Sequence, residues 1–496
     1  MKQKLFSFFI SLLISQFLSA TGTATIQGSF AVRNNQQSVK IYLSLGEDIF
    51  DREPREISML CKTRSGSFHF DIRFPSDEKF IYVRFEMGNA RISEADGIEG
   101  MLFIIEPGDH LKVNIDSAGN PVFAGKGSEK IRCQLLMDHE ARNMEAVAYR
   151  PDYKKIAYNN CWNNELLALN GYKSSLSLLA YKMLFIDNWA ELQRNYFGDL
   201  IRFGFSDSNF SKILSLRLDT VGAYYLNNIF DSTSELKSRS FCRWTFEKLI
   251  FEQKIAKYKN EDEDKNLLVP DNSLYFSIKN NFGGSLREKM LTKFFYIAYE
   301  QSSDSELDSE FKQTLETVRT NRYKLILTTL YRRFYLGMPV PQYSFIDSAG
   351  HIIKLTDFKN KLVIVDFWFT GCLPCMALGQ SLKPIESKFS SNKNVVFVTI
   401  NVDRDRKMWL RSISAGHYTG ASAINLFTGG LGLNHPLIRY YGYDGFPHLL
   451  MILNGKIYNG HPPRPMQISS TEDRPTPSTR AFTSIIENFC INKNSL

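Results

Sequence analysis

Apolar and polar residues alternate in short segments over the first quarter of the chain. A period of two is typical of strands with one buried face. It is clearest in three segments: 39–43, 68–72 and 80–85. Residues 106–109 read Glu-Pro-Gly-Asp, a turn in which Pro fixes φ and Gly relieves the corner. We therefore predict a small antiparallel β-sandwich-like domain over residues 25–125.

Apolar residues recur at three- and four-residue spacing from about residue 126, a pattern that is typical of amphipathic helices. Four stretches show it: 165–184, 245–257, 286–299 and 305–331. Residues 338–341 read Met-Pro-Val-Pro, and prolines so close together end a helix and begin an extended segment. Strands and helices then alternate to the end of the chain. This predicts a helical domain over 126–337 and an α/β domain over 338–496.

The N-terminal residues have the three parts of a secretory signal peptide. Two lysines precede an apolar run over 5–18, and small residues follow it. The run is shorter than the ~20 residues that span a bilayer, so a permanent N-terminal anchor is the alternative. We predict a signal peptide over 1–24, cleaved after Ala20 or Ala24, and an exported, periplasmic protein that is soluble after cleavage.

Composition places the chain among folded, multidomain proteins. Its 496 residues are too many for one hydrophobic core. The hydrophobic and charged fractions, 43% and 23%, are those of globular proteins. The net charge of +8 is dispersed, without a basic stripe interleaved with aromatics, so nucleic acid is not a predicted partner. No cofactor and no metal are predicted, and the oligomeric state is not indicated.

The seven cysteines fall into two groups. Five are widely scattered, namely Cys61, Cys133, Cys161, Cys242 and Cys490. Such cysteines are more often small buried hydrophobes than reactive groups, although one bridge among them stays open. Only Cys372 and Cys375 lie close together, and export would place them where disulfides persist.

The chemistry is predicted at a strand–turn–helix. Residues 362–368 form an apolar run interrupted by Asp366, as in a buried central strand, and helix formers follow at 373–378. This places Cys372 at a helix N-terminus, where unpaired N–H groups and the helix dipole stabilise a thiolate. Its pKa then falls below ~8.5 and Cys372 becomes the nucleophile. Cys375, one turn later, is the predicted resolving cysteine and the partner of Cys372 in a redox disulfide.

Two other uses of Cys-x-x-Cys fit less well. A zinc site needs two more ligands at sensible spacing, and the chain has no second Cys-x-x-Cys and no paired histidines beyond residue 338. Haem attachment needs His directly after the second cysteine, where Met376 stands. A redox pair is therefore favoured.

The residues around the pair resemble a known family. Asp366-Phe367-Trp368, with cysteines at 372 and 375, resembles the thioredoxin superfamily, and residues 338–490 resemble its exported TlpA/ResA-type branch. The resemblance implies a C-terminal α/β thioredoxin fold. Seven segments carry it: 340–345, 347–350, 355–361, 395–401, 403–410, 441–447 and 449–455.

The resemblance also implies roles for single residues. Pro447 follows a cis peptide bond after Phe446, and this loop faces the cysteines and offers its backbone to an extended substrate polypeptide. Asp366 is a buried acid that accepts the proton of Cys375; the alternative is an Asp held by hydrogen bonds at a strand end. Trp368 packs beside the motif, as core or as substrate contact.

Two positions depart from the family pattern. The residue before the nucleophile is usually Trp, and here it is Gly371, which removes a large surface beside the disulfide. The central dipeptide is Leu373-Pro374 rather than Gly-Pro, and these positions help to tune the redox potential. The predicted substrate contacts are thus Phe446, Pro447, Trp368 and Gly371.

Three functions follow from this pattern. The first is an exported thiol–disulfide oxidoreductase that reduces or exchanges disulfides of protein substrates and is recharged by a membrane thiol electron donor. The second is a module for partner or peptide binding. The third is a peroxiredoxin-like peroxidase, which needs Thr three residues before its reactive cysteine, where this chain has Phe369.

Overall fold

The computed structural model shows two compact units. It describes residues 22–30, 38–45, 57–62, 66–75, 78–88, 101–116, 121–145, 151–204, 236–258, 271–301, 307–443, 445–466 and 475–494. The first unit comprises residues 1–266 and 282–290, and the second comprises residues 267–281 and 291–496. Most of the predicted signal peptide, residues 1–21, lies outside the described residues. Within the described ranges, no helix is both long and apolar enough to cross a membrane.

Eight strands of the first unit form two four-stranded sheets. In chain order they are β1 (Gly22–Phe30), β2 (Ser38–Ser44), β3 (Ile57–Lys62), β4 (Ser67–Phe74), β5 (Ile81–Gly88), β6 (Phe103–Ile105), β7 (His110–Ile115) and β8 (Pro121–Lys126). The sheet orders are β4-β1-β7-β8 and β3-β2-β5-β6. Neighbouring strands are antiparallel except β1 and β7, which run parallel. That pair differs from the antiparallel arrangement expected from sequence, and the long intervening chain makes it possible.

The two sheets share one hydrophobic core because their strands alternate. Every second residue of β4 is buried, including Phe68 and Phe70, and these pack in one cluster with Val83 and Phe85 of β5. Ala24 of β1 is fully buried in the same cluster. The signal peptide is predicted to end at residue 24, which lies inside β1. The small residues of the predicted cleavage zone also fit a half-buried strand.

In the described part of the chain, eight helices lie between the two four-stranded sheets and the next sheet. The first unit has α1 (Ser128–Glu145), α2 (Pro151–Gly171), α3 (Leu178–Gly204) and α4 (Arg239–Tyr258). The next four are α5 (Asn272–Asn281), α6 (Gly284–Gln301), α7 (Asp308–Thr317) and α8 (Asn321–Phe334). The division between the units passes through the start of α6, so α7 and α8 belong to the second unit. The sequence limits at 125 and 337 stay a prediction.

A seven-stranded sheet forms the centre of the second unit. Its strands are β9 (Ser344–Asp347), β10 (Ile352–Lys354), β11 (Leu362–Trp368), β12 (Val395–Asn401), β13 (Ile424–Phe427), β14 (His448–Leu453) and β15 (Lys456–Asn459), in the order β10-β9-β13-β12-β11-β14-β15. Its helices are α9 (Leu373–Phe389), α10 (Arg406–Ala415), α11 (Pro436–Tyr441) and α12 (Pro477–Asn494).

Strand β11 lies near the middle of this sheet and is buried along its whole length. It runs parallel to β12 and antiparallel to β14. Leu362 and Ile364 pack against Leu382 of α9 and Phe482 of α12. The carboxyl ends of β11, β12 and β13 share one edge of the sheet, the edge at which open α/β sheets place their sites.

Candidate active site

A short turn joins the end of β11 to the start of α9. Gly371 in this turn has φ +95°, a conformation that Gly adopts readily and L-residues rarely adopt. Cys372 is the N-cap of α9, and Pro374 lies in the first helical turn, where its missing N–H costs nothing. The sequence prediction of a nucleophile at a helix N-terminus thus matches the position that Cys372 has.

The two cysteines are bonded to each other. Cys372 Sγ and Cys375 Sγ lie 2.05 Å apart. The N–H of Cys375 points at Cys372 Sγ over 3.1 Å, as an N-cap acceptor requires. Cys372 is 4% exposed and Cys375 is fully buried, so a partner can reach only Cys372. The N–H group aimed at its sulfur stabilises a thiolate there.

The predicted proline loop lies beside Cys372. The Phe446–Pro447 peptide bond is cis, as the resemblance implies. The carbonyl oxygen of Phe446 is 3.7 Å from Cys372 Sγ. The rings of Phe446 and Phe369 meet edge to face at 5.9 Å. Phe369 and Leu373 are 38% and 75% exposed, so apolar side chains surround the approach to the disulfide.

Gly371 leaves open space on the same side. A Cβ added there would meet no heavy atom within 4 Å. The large surface that the family usually supplies at this position is therefore missing, and Phe369 supplies an aromatic surface two residues earlier.

Asp366 is a buried carboxyl group without a hydrogen bond. It is 2% exposed, and neither carboxyl oxygen has a hydrogen-bond partner among the described residues. The structure therefore does not show the alternative, an Asp366 side chain held by hydrogen bonds at the end of a strand. Burial raises the pKa of Asp366 to about 8, although the Arg464 guanidinium acts in the opposite direction.

Trp368 belongs to the core rather than to the substrate surface. It is fully buried, and its ring stacks on Tyr418 at 4.5 Å with an interplanar angle of 15°. The prediction of a substrate contact at Trp368 is wrong for this reason: the pleat of β11 turns the side chain inward, against Trp409 and Phe427.

Sequence reasoning missed a polar network under the turn. The Asp403 carboxylate accepts the N–H of Thr370 at 3.0 Å and its hydroxyl at 2.6 Å. The Asn401 amide donates to the same carboxylate at 3.0 Å, and Ser412 Oγ lies 2.8 Å from Thr370 Oγ1. Asp403 lies two residues beyond the end of β12. Its position near the end of a parallel strand is the one sequence signal of its role.

Two histidines follow the proline loop. His448 stacks on Tyr443 at 3.8 Å, and His461 packs on Phe334 at 4.2 Å. Burial lowers the pKa of His448 to about 4 and that of His461 to about 3, with a further contribution from Arg464. Both rings are therefore neutral at pH 7.

The five other cysteines form no second bonded pair. Cys61, Cys133, Cys161, Cys242 and Cys490 are not disulfide-bonded. Among the described residues, no group of three or more His, Cys, Asp or Glu is arranged to hold a metal ion.

Comparisons with known proteins find thioredoxin-like relatives of the C-terminal region. A family model described as thioredoxin-like matches residues 360–457, a range that includes both cysteines, Asp366 and Pro447. Thioredoxin of Coprinus comatus is 38% identical over 58 residues, which are 12% of this chain and 53% of that protein. Thiol-disulfide oxidoreductase ResA of Geobacillus kaustophilus is 31% identical over 84 residues, 15% and 46% of the two chains. The chain thus spans about half the length of these curated relatives.

Two solved structures are also similar to the C-terminal region. A thiol:disulfide interchange protein from Bacteroides sp. is 28% identical, covering 26% of this chain and 81% of its own, with a TM-score of 0.23. The thioredoxin domain of a thiol-disulfide oxidoreductase from Bacteroides vulgatus is 24% identical, covering 31% and 96%, with a TM-score of 0.25.

Proposed function

We propose that this chain, whose residues 360–457 belong to the TlpA/ResA-like thioredoxin superfamily, is an exported thiol–disulfide oxidoreductase that reduces or exchanges protein disulfides. The observation that carries the proposal is the bonded pair at the start of α9. Its outer member accepts a helix N–H, and its inner member is fully buried. This asymmetry separates an attacking cysteine from a resolving one.

The proposed reduction has two steps. The Cys372 thiolate attacks one sulfur of a substrate disulfide, forms a mixed disulfide and releases the other substrate sulfur as a thiolate. The Cys375 thiolate then attacks Cys372 Sγ, which forms the Cys372–Cys375 disulfide and releases the second substrate thiolate. Two electrons pass from the dithiol to the substrate.

Asp366 is the proposed acceptor of the Cys375 proton. A base works best when its pKa lies near the working pH, and burial raises the pKa of Asp366 to about 8. Only an ionised Asp366 can accept that proton, and no hydrogen bond occupies either of its carboxyl oxygens.

The substrate is proposed to lie along the Phe446–Pro447 loop as an extended polypeptide. The space over Gly371 leaves room for the substrate sulfur to reach Cys372. Apolar side chains at Phe369, Leu373 and Phe446 favour apolar residues beside the substrate cysteine, since burying apolar surface is favourable.

Export and recharging complete the proposal. The apolar run over 5–18 supports a signal peptide, with a membrane anchor as the alternative. Cleavage after Ala20 leaves β1 whole, because β1 begins at Gly22. A dithiol donor in the membrane would reduce the Cys372–Cys375 disulfide after each turnover.

The test compares two cysteine variants with a matched control. Cys372→Ser is expected to abolish dithiol-dependent reduction of a protein disulfide. Cys375→Ser is expected to accumulate a mixed disulfide with the substrate, visible by mass spectrometry, because the resolving thiol is gone. Cys61→Ser, which changes an unpaired cysteine of the first unit, should behave as wild type. Wild-type turnover in both site variants would reject the Cys372–Cys375 pair as the redox centre.

A further inference from the structure

One segment after α10 lies directly along the helix that carries the cysteines. Lys383 Nζ donates to the carbonyl of Gly416 at 2.6 Å, and Gln380 Nε2 donates to that of His417 at 2.8 Å. The Glu386 carboxylate accepts the N–H of Ser422 at 2.7 Å and its hydroxyl at 2.6 Å. The segment 416–422 is thus tied to α9 over two turns.

Two glycines, Gly379 and Gly420, allow segment 416–422 to pack closely against α9, because neither has a side chain. A Cβ on Gly379 of α9 would come within 2.3 Å of the Tyr418 carbonyl oxygen. A Cβ on Gly420 would come within 2.1 Å of the Glu386 carboxylate. Residues 379, 383 and 386 share one face of the helix, since they are four and three residues apart. The position of segment 416–422 is therefore determined by α9.

The held segment brings Tyr418 to the turn before the nucleophile. The Tyr418 hydroxyl accepts the N–H of Gly371 at 2.7 Å. Its ring stacks on Trp368 at 4.5 Å, so contacts hold it on the strand side and on the turn side. Gly371 is the residue with φ +95° that directly precedes Cys372.

We propose that Tyr418 is a positioning residue for Cys372. By holding the Gly371 N–H, it keeps the turn in the left-handed conformation that places Cys372 Sγ against the N–H of Cys375. That placement stabilises the thiolate of the reduced protein. This inference rests on the proposed function and adds to it a residue 46 positions beyond the nucleophile.

The test is the thiol pKa of Cys372 in the reduced full-length protein. It is read from the pH dependence of the iodoacetamide alkylation rate, with the modified peptide identified by mass spectrometry. Tyr418→Phe keeps the ring and removes the hydroxyl. We expect its Cys372 pKa to rise by about half a unit to one unit, which slows alkylation below the pKa about three- to tenfold. The Asp403 carboxylate, the charged group that holds the same turn, is unchanged in this variant.

Tyr440→Phe is the matched control. The Tyr440 hydroxyl also forms a hydrogen bond with a backbone group, but it donates to the carbonyl of Arg332 at 3.1 Å, a residue outside the turn. A pKa rise in Tyr418→Phe that Tyr440→Phe lacks supports the inference. An unchanged or lower pKa in Tyr418→Phe overturns it. If Tyr418→Phe loses its near-UV circular dichroism, the same criterion applies to Gln380→Ala, which removes one tie of the segment and leaves Tyr418 intact.

Failure of this inference is distinguishable from failure of the proposed function. The alkylation rate needs no substrate and no turnover. A wild-type protein that never forms the Cys372–Cys375 disulfide rejects the proposed function. A wild type that cycles, with Tyr418→Phe equal to it in thiol pKa, rejects only the role of Tyr418.

Discussion

The Asp366 carboxyl group is buried in a strand without a hydrogen bond. Such a group avoids the large cost of a buried charge by keeping its proton. A fold gains no stability from an unpaired buried acid, so the chemistry proposed for Asp366 accounts for its presence better than packing does.

Asp366→Asn is expected to change how stability depends on pH. The folded-state pKa of Asp366 is about 8, whereas an unfolded chain has ~3.9. Between these values the folded protein holds a proton that the unfolded chain has lost. The free energy of unfolding is therefore unaffected by this ionisation below about pH 4 and falls as pH rises to about 8, with a slope of up to ~1.4 kcal/mol per pH unit. Asp366→Asn lacks this slope.

Urea unfolding of the second unit at pH 5, 6, 7 and 8 measures the effect. His448 and His461, whose pKa values are lowered by burial, give a slope of opposite sign below about pH 6.5. That slope is common to both proteins and drops out of their difference. Parallel stability curves for wild type and Asp366→Asn would contradict the raised pKa.

Gly371→Trp restores the residue usual in the family, yet it is expected to destabilise. A Trp at φ +95° is strained whatever space surrounds it, at a cost of about 1–3 kcal/mol. Leu373→Trp is the control, because it adds the same ring on the exposed first turn of α9. Equal free energies of unfolding in the two variants would show that the conformation of Gly371 imposes no such cost.

Helix α8 packs on residues of the C-terminal region, although it is predicted from sequence to lie in the helical domain. Two prolines after it mark a local break in the chain, and for that reason the sequence groups α8 with the helices before it. In the structure the Phe334 ring packs on Tyr441 at 5.5 Å and on His461 at 4.2 Å. A proline reports backbone conformation, whereas the packing partner depends on residues more than a hundred positions away.

Gly460→Ala tests the contact between α8 and the end of β15. A Cβ at this position would come within 2.3 Å of the Phe334 carbonyl oxygen. We expect a loss of about 1–3 kcal/mol in the free energy of unfolding. Gly445→Ala is the control, since a Cβ there meets nothing within 4 Å. Calorimetry that finds equal melting temperatures for the two variants would rule out a close contact at Gly460.

Across the whole chain, local sequence patterns predict the residues of the site better than the residues that hold the turn before Cys372 in place. The strand–turn–helix around Cys372 and the Phe446–Pro447 loop follow from short segments with their own spacing. Tyr418 and Asp403 have no such signal, because they reach the turn across long sequence separations. The parallel pairing of β1 with β7 was missed for the same reason: alternation predicts a strand but not its partner.

Reduction of the disulfide is expected to act on one unit. Hydrogen exchange followed by mass spectrometry should show faster exchange at 369–376 after reduction, because the disulfide between Cys372 and Cys375 no longer restrains the start of α9. Strand β4 of the first unit should keep its protection, since that unit contains no part of the site. Equal changes in both regions would contradict a response confined to the second unit.

The most direct test of the central claim is a redox titration of the mature protein. The protein is equilibrated in graded thiol buffers, alkylated, and analysed for Cys372 and Cys375 by mass spectrometry. A redox centre predicts one reversible two-electron transition, about 30 mV per tenfold change in the ratio of oxidised to reduced protein. A midpoint near about −270 mV indicates a reductant and one near about −120 mV an oxidant. If the two thiols never pair across that range, Cys372 and Cys375 are not a redox centre.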